Sequence, residues 1–307
     1  MRKILGPVLL GLGAFLLVAG VLAVTWAPGV AKRTPIDVDN TTYLEGQAAK
    51  LDVESGELVE NPIYVLSITQ TDTDASTDDT AVWVSKACVV VDECQDPQVC
   101  LDGEDPLLIS ASIDVFATDR FSALAVNDAG GLPDDAEPHE GLVNKWPFDA
   151  EQKTYPYWDS LVGDTVDAVY DRSEVVEGLD TYVYRVEITD AEIEIAEGVP
   201  GTYDDVKEIW VEPRTGAIVN QTDDQQRYLE DGDQVLDLQI AFTEDQVKKS
   251  VADTEDSLST LNLITKIVPL VGFIGGAVCL LAGIFLLIRG RKSQATVREP
   301  EMAGASR

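Results

Sequence analysis

The sequence predicts an α+β fold, mostly antiparallel β, held between two membrane-spanning helices. Three observations predict it. Ile4–Val24 and Ile267–Ile288 are uncharged apolar stretches, one near each end. The region between them alternates apolar and polar residues in short runs. Those runs are separated by Gly- and Asp-rich turns.

The apolar stretches fix the frame. Each is long enough to form roughly 31–33 Å of helix, which covers a bilayer core of about 30 Å. Arg2 and Lys3 precede the first stretch, and Arg289, Arg291, Lys292 and Arg298 follow the second. Positive flanks favour the cytoplasm, so both termini read as cytoplasmic and the middle as extracytoplasmic at the cell membrane. Lys32 and Arg33 weigh against that orientation less strongly than the C-terminal cluster weighs for it. The first stretch also has the alternative of a cleaved signal sequence, with Val21-Leu22-Ala23 as its cleavage site, but it exceeds the usual apolar signal core of about 7–15 residues. The resulting segments are 1–26 (tip and first span), 27–243 (β-rich domain), 244–266 (helical stalk), 267–288 (second span) and 289–307 (basic tail).

Between the spans, Ile63–Gln70 and Val82–Val91 read as strands around a polar break at Thr71–Thr80. Ile109, Ala111, Ile113 and Val115 alternate as one strand, and Tyr182, Tyr184, Val186 and Ile188 as another. Val206–Glu212 and Ala217–Thr222 flank Pro213-Arg214-Thr215-Gly216 as a hairpin, and Tyr228–Leu229 and Val235–Phe242 flank Asp231-Gly232-Asp233 as a second. At Val247, Val251, Leu258 and Leu261 the period becomes helical, giving the stalk. In the second span Gly272 and Gly276 form a small-residue pair for helix packing, either against the first span or against a second copy as a homo-oligomer.

Charge excludes some functions. Residues 27–266 hold 53 of the 55 acidic residues and 15 of the 22 basic ones, a net charge near −38. Such a domain repels nucleic acid and anionic headgroups, so no nucleic-acid partner is expected. Cys88, Cys94 and Cys100 are disulfide candidates outside the membrane; three cysteines leave one over, and neither their spacing nor any nearby His suits zinc. Catalytic signals are poor. His139 is the only histidine and reads as an exposed loop residue. There is no nucleophile elbow, Walker loop or metalloprotease helix, and Asp72–Asp79 lacks the Gly and closing Glu of a calcium loop. No enzyme, cofactor or metal is expected. The candidate ligand contacts are the aromatic group Trp146, Tyr155, Tyr157 and Trp158 and the arginines Arg120, Arg185 and Arg214, basic side chains that are scarce in so acidic a domain.

Several segments in order carry a resemblance: Thr118-Asp119-Arg120, Trp146-Pro147-Phe148-Asp149, Lys153-Thr154-Tyr155-Pro156-Tyr157-Trp158-Asp159, Glu177–Tyr184, and Trp210-Val211-Glu212-Pro213-Arg214-Thr215-Gly216. With both spans, they resemble the actinobacterial PorA family of two-span envelope proteins. The layout is also similar to class B scavenger receptors, which have two end spans and a β-rich ectodomain that carries lipid. The PorA resemblance implies a porin, yet two helices do not enclose an aqueous pore, and no strand shows the lipid-facing alternation of a membrane barrel. The expected function is therefore binding or transfer of a hydrophobic, lipid-like ligand from the membrane. The alternatives are an oligomeric cation-selective channel subunit and a structural or adhesive envelope protein.

Overall fold

A computed structural model describes residues 2–91, 107–196 and 198–295 of the chain, with the side chains of residues 2, 3 and 290–295 undescribed. It divides into two units, residues 1–32 with 259–307 and residues 33–258.

The first unit contains two helices long and apolar enough to cross a membrane. These are α1 (Arg2–Thr25) and α4 (Val268–Ala295); the short α2 (Ala27–Ala31) follows α1, and a π-helical turn at Leu263–Ile267 precedes α4. Small residues bring α1 and α4 into close contact. A Cβ at Gly272 would stand 2.7 Å from Gly20 Cα, and one at Gly276 would stand 2.8 Å from Leu17 Cγ. Gly13 is equally tight, with Leu280 Cγ at 2.8 Å. The Gly272/Gly276 pair therefore faces α1 of its own chain. In lipid, where apolar burial does not drive association, such close backbone packing is what holds a helix pair.

The second unit is an antiparallel half-barrel of ten strands: β1 (Asp39–Leu51), β2 (Leu58–Asp72), β3 (Thr80–Val91), β4 (Leu108–Asp119), β5 (Tyr155–Asp159), β6 (Asp164–Val176), β7 (Leu179–Ala196), β8 (Val199–Glu212), β9 (Ala217–Leu229) and β10 (Gln234–Phe242). The strand order is β4-β3-β2-β1-β10-β9-β8-β7-β6-β5. Two meanders are thus joined by one long-range pair, β1 with β10, in which Gly46 lies opposite Ile240 and Ala48 opposite Leu238. Gly46 is required there, because any Cβ would collide with the Gln239 carbonyl oxygen.

Turn chemistry ends the strands where the sequence suggests. Between β8 and β9 the Glu212 carboxylate accepts hydrogen bonds from Arg214 N and from Thr215 N and Oγ1. Gly216 then takes φ 71°, open to glycine at little cost. Between β2 and β3, Asp72 Oδ1 accepts from the backbone N–H groups of Asp74 and Ala75, an Asx turn that occupies this carboxylate.

The helix α3 (Glu244–Asn262) covers one face of the sheet, where Val251 and Leu258 pack with Leu179, Val183, Trp210 and Val219. Leu44, Ala48, Ile63, Val65 and Leu238 form an apolar cluster on β1, β2 and β10. A larger cluster gathers Trp146, Tyr155, Tyr184, Tyr203, Ile209 and Val211 with Leu142. Cys88 on β3 is buried and disulfide-bonded. Cys94 and Cys100 lie outside the described residues, and Cys279 on α4 is a free thiol.

Candidate functional site

Register places one continuous face across nine strands. Val89 on β3 lies opposite Val65, Val65 opposite Leu44, and Leu44 opposite Phe242. Along the next rows, Ile63 faces Gly46, Gly46 faces Ile240, Ile240 faces Asp223, and Asp223 faces Lys207. Lys207 in turn faces Val186, which faces Ala168 and then Tyr155. The face is therefore apolar on β3, β2, β1 and β10, charged on β9 and β8, and apolar again from there to Tyr155 on β5. On the apolar part, Val89, Leu236, Ile240 and Phe242 are only half-buried.

The charged part is enclosed. Lys207 Nζ stands 3.2 Å from Asp223, 3.3 Å from Asp205 and 3.8 Å from Asp159. Asp205 is wholly buried, and the other two carboxylates are 5 % exposed. Among the described residues, Tyr203 Oη, both Asp205 oxygens, Asp223 Oδ1 and Arg227 Nε have no hydrogen-bond partner. Burial opposes the charge on Lys207, but the Asp223 and Asp205 carboxylates overcome it and hold the ammonium well above its usual range. Burial pushes the Asp205 carboxyl up to about 7, with Lys207 opposing and Asp223 adding to the rise.

The segment from Arg120 to Thr154 bridges the two edges of the sheet. Ala125 pairs with Thr118 at the end of β4, Leu124 with Leu142, and Leu142 with Tyr157 on β5. It is pinned to the β8–β9 turn, where Trp146 N donates to Gly216 O, Asp149 N to Arg214 O and Ala150 N to Pro213 O. The segments that carry the family resemblance thus bind one another here.

His139 belongs to this bridge and corrects the reading of an exposed loop residue. It is 2 % exposed, between the rings of Phe116 on β4 and Trp158 on β5. Its Nε2 lies 2.9 Å from Asp114 Oδ2 and its Nδ1 2.9 Å from Glu137 O. Burial opposes the imidazolium, but the Asp114 and Glu137 contacts outweigh it and raise the His139 pKa. Lys145 is also held in this segment. Its Nζ donates to Thr34 Oγ1 and Thr215 O, and burial lowers its pKa to about 8.

The candidate ligand contacts are distributed differently from one another. Trp146 and Tyr155 are buried core residues, and Tyr157 stacks on Trp146. Trp158 faces away from them, onto His139. Arg120 ties loops together by donating to Thr34 O, Thr77 O and Asp78 O. Arg185 pairs with Glu208 and Glu187, beside Arg172, which holds Glu208 with two bonds. Arg214 sits in the β8–β9 turn. The aromatics and arginines do not converge on one cavity. Sequence reasoning missed the Lys207 cluster, whose one signal is the period-2 run Tyr203, Asp205, Lys207, Ile209, Val211.

A family described as Porin PorA matches residues 5–285, which take in most of both apolar helices and the whole half-barrel. The chain belongs to the Porin PorA family. No curated protein matches the sequence. This PorA chain is a two-pass membrane protein by its two apolar helices. Among its described residues no group of three or more His, Cys, Asp or Glu side chains is placed to hold a metal ion.

Proposed function

We propose that this PorA protein binds, and passes on, an amphiphile drawn from the membrane, with the apolar chain lying on the β3–β2–β1–β10 face. The observation that carries the reading is the half-buried apolar row Val89, Leu236, Ile240 and Phe242 on one face of an incomplete barrel. Burying such surface against acyl chains contributes about 25 cal/mol per Å². Both ends of the domain run into candidate spans, so its chain is tethered where lipid is most concentrated. The reading includes cytoplasmic termini, from the positive flanks, and an extracytoplasmic half-barrel.

The family description favours a second reading, an oligomeric channel subunit. Two helices and a half-barrel do not enclose a pore, so this reading needs several copies. The small-residue face of α4 is occupied by α1, which leaves other surfaces to mediate assembly.

Native mass spectrometry of the full-length protein in mild detergent separates the two. A monomer retaining a defined lipid mass is the expected result. A lipid-free ring of several copies with cation-selective conductance would overturn the carrier reading.

A further inference from the structure

We propose that the Lys207 cluster is a proton-binding site, and that a proton held on Asp205 latches the β5 edge of the half-barrel to β8 and β9. The cluster is assembled from three strands. Asp159 and Tyr157 come from β5, Tyr203, Asp205 and Lys207 from β8, and Asp223 and Arg227 from β9. The groups facing Asp205 are Lys207, Asp223, Asp159, Tyr157, Tyr203 and Arg227, while its partner on β7 is the apolar Ile188 and its partner on β9 the neutral Gln225.

Charge makes the argument. Three carboxylates face two cations, so the fully ionised cluster carries one excess negative charge. A buried excess charge is costly, and binding one cation removes it. Lys207 already fills the position between the carboxylates, within 3.8 Å of all three. The remaining cation is therefore small, and a proton on Asp205 meets the need. Carried on one Asp205 oxygen, it makes that oxygen a hydrogen-bond donor, where neither Asp205 oxygen otherwise has a hydrogen-bond partner.

The mechanical consequence falls on β5. Its one ionic tie to the cluster is Asp159 with Lys207, at 3.8 Å, the longest of the three pairs. When Asp205 loses its proton, its full charge competes with Asp159 for the same ammonium and repels it. β5 is an edge strand, paired regularly only with β6 and bridged to Leu142, with Tyr155, Tyr157 and Trp158 packed on Tyr184, Trp146 and His139. Loosening it weakens the link across the two sheet edges. Asp205 holds its proton to a higher pH folded than unfolded, so this stabilisation is present at low pH and lost as pH rises through about 7. The consequence for ligand entry rests on the proposed apolar face; the latch itself does not.

Hydrogen exchange of the full-length protein in detergent micelles tests the latch without any ligand, so its failure is separable from failure of the lipid reading. After correction for intrinsic rates, exchange of peptides covering β5 is expected to rise about tenfold or more between mildly acidic and mildly alkaline pH. In Asp205→Asn, which fixes the neutral form, protection is expected to stay high at both. His139→Gln keeps the response, because its contact lies on the other face of β5. Unchanged β5 protection in the native protein, or a response that survives in Asp205→Asn, would overturn the proposal.

Discussion

Lys207→Met is expected to destabilise the half-barrel by about 3–5 kcal/mol, the range for stripping one partner from a buried ion pair. The size follows from what is left behind. Asp159, Asp205 and Asp223 are all nearly or fully buried, and their shared cation is 3.2–3.8 Å away. Removing it leaves three carboxylates with only Arg227 to offset them. The stretch from Tyr203 to Val211 would still have the pattern of a strand, so the loss is electrostatic and not a failure of propensity. The midpoint of chemical unfolding, followed by tryptophan fluorescence at fixed detergent concentration, reads the effect. The triple change Lys207→Met, Asp205→Asn, Asp223→Asn is expected to recover most of it, since neutral groups of similar shape need no counter-ion. An unshifted midpoint in the single variant would mean that the carboxylates are compensated by other groups.

Gly46→Val is expected to cost about 3 kcal/mol, at the upper end for overpacking a tight site. The position matters because of topology. The two meanders meet only at β1 and β10 within the regular sheet, and Gly46 lies mid-way along that pair. A side chain there collides with the backbone of Gln239, which has no rotamer with which to move away. The expected signature is selective: exchange accelerates in β1 and β10, while β7–β8 peptides stay protected. Native-like protection of β1 in Gly46→Val would show that the pair has room which its register denies.

Much of the fold is legible in the sequence, because the signals that specify it are local. Uncharged stretches of bilayer length mark α1 and the apolar core of α4. Alternation marks β4 and β7, and Pro213–Gly216 and Asp231–Asp233 mark two hairpin turns. The strands that escape notice lack such signals. β1 reads Asp-Asn-Thr-Thr-Tyr-Leu-Glu-Gly-Gln-Ala-Ala-Lys-Leu, where Gly46 and small residues dilute the pattern. β5 holds Pro156, tolerated because β5 is an edge strand. The β1–β10 pair is a contact between residues about 200 positions apart, which no local pattern announces.

The candidate site was less legible for a related reason. Aromatics are visible in a sequence whether they bind a ligand or fill a core, and Trp146 is wholly buried against Tyr157 and Tyr184. Arginines stand out in an acidic domain, but Arg185 is taken up by Glu208 and Glu187 and Arg120 by three backbone carbonyls. Asp205 and Lys207, two apart in a run rich in charge, look like solvent-facing residues. Only the curl that brings Asp159 of β5 to Lys207 of β8 makes them an enclosed cluster.

The central claim is that the apolar face of β3, β2, β1 and β10 receives an acyl chain. The most direct measurement is photo-crosslinking to membrane lipid in cells, with a photoreactive residue placed in turn at Val89, Phe242 and the exposed Val53. Adducts of lipid mass at Val89 and Phe242, with none at Val53, are the predicted result. Equal adducts at all three positions, or none at Val89 and Phe242, would contradict it.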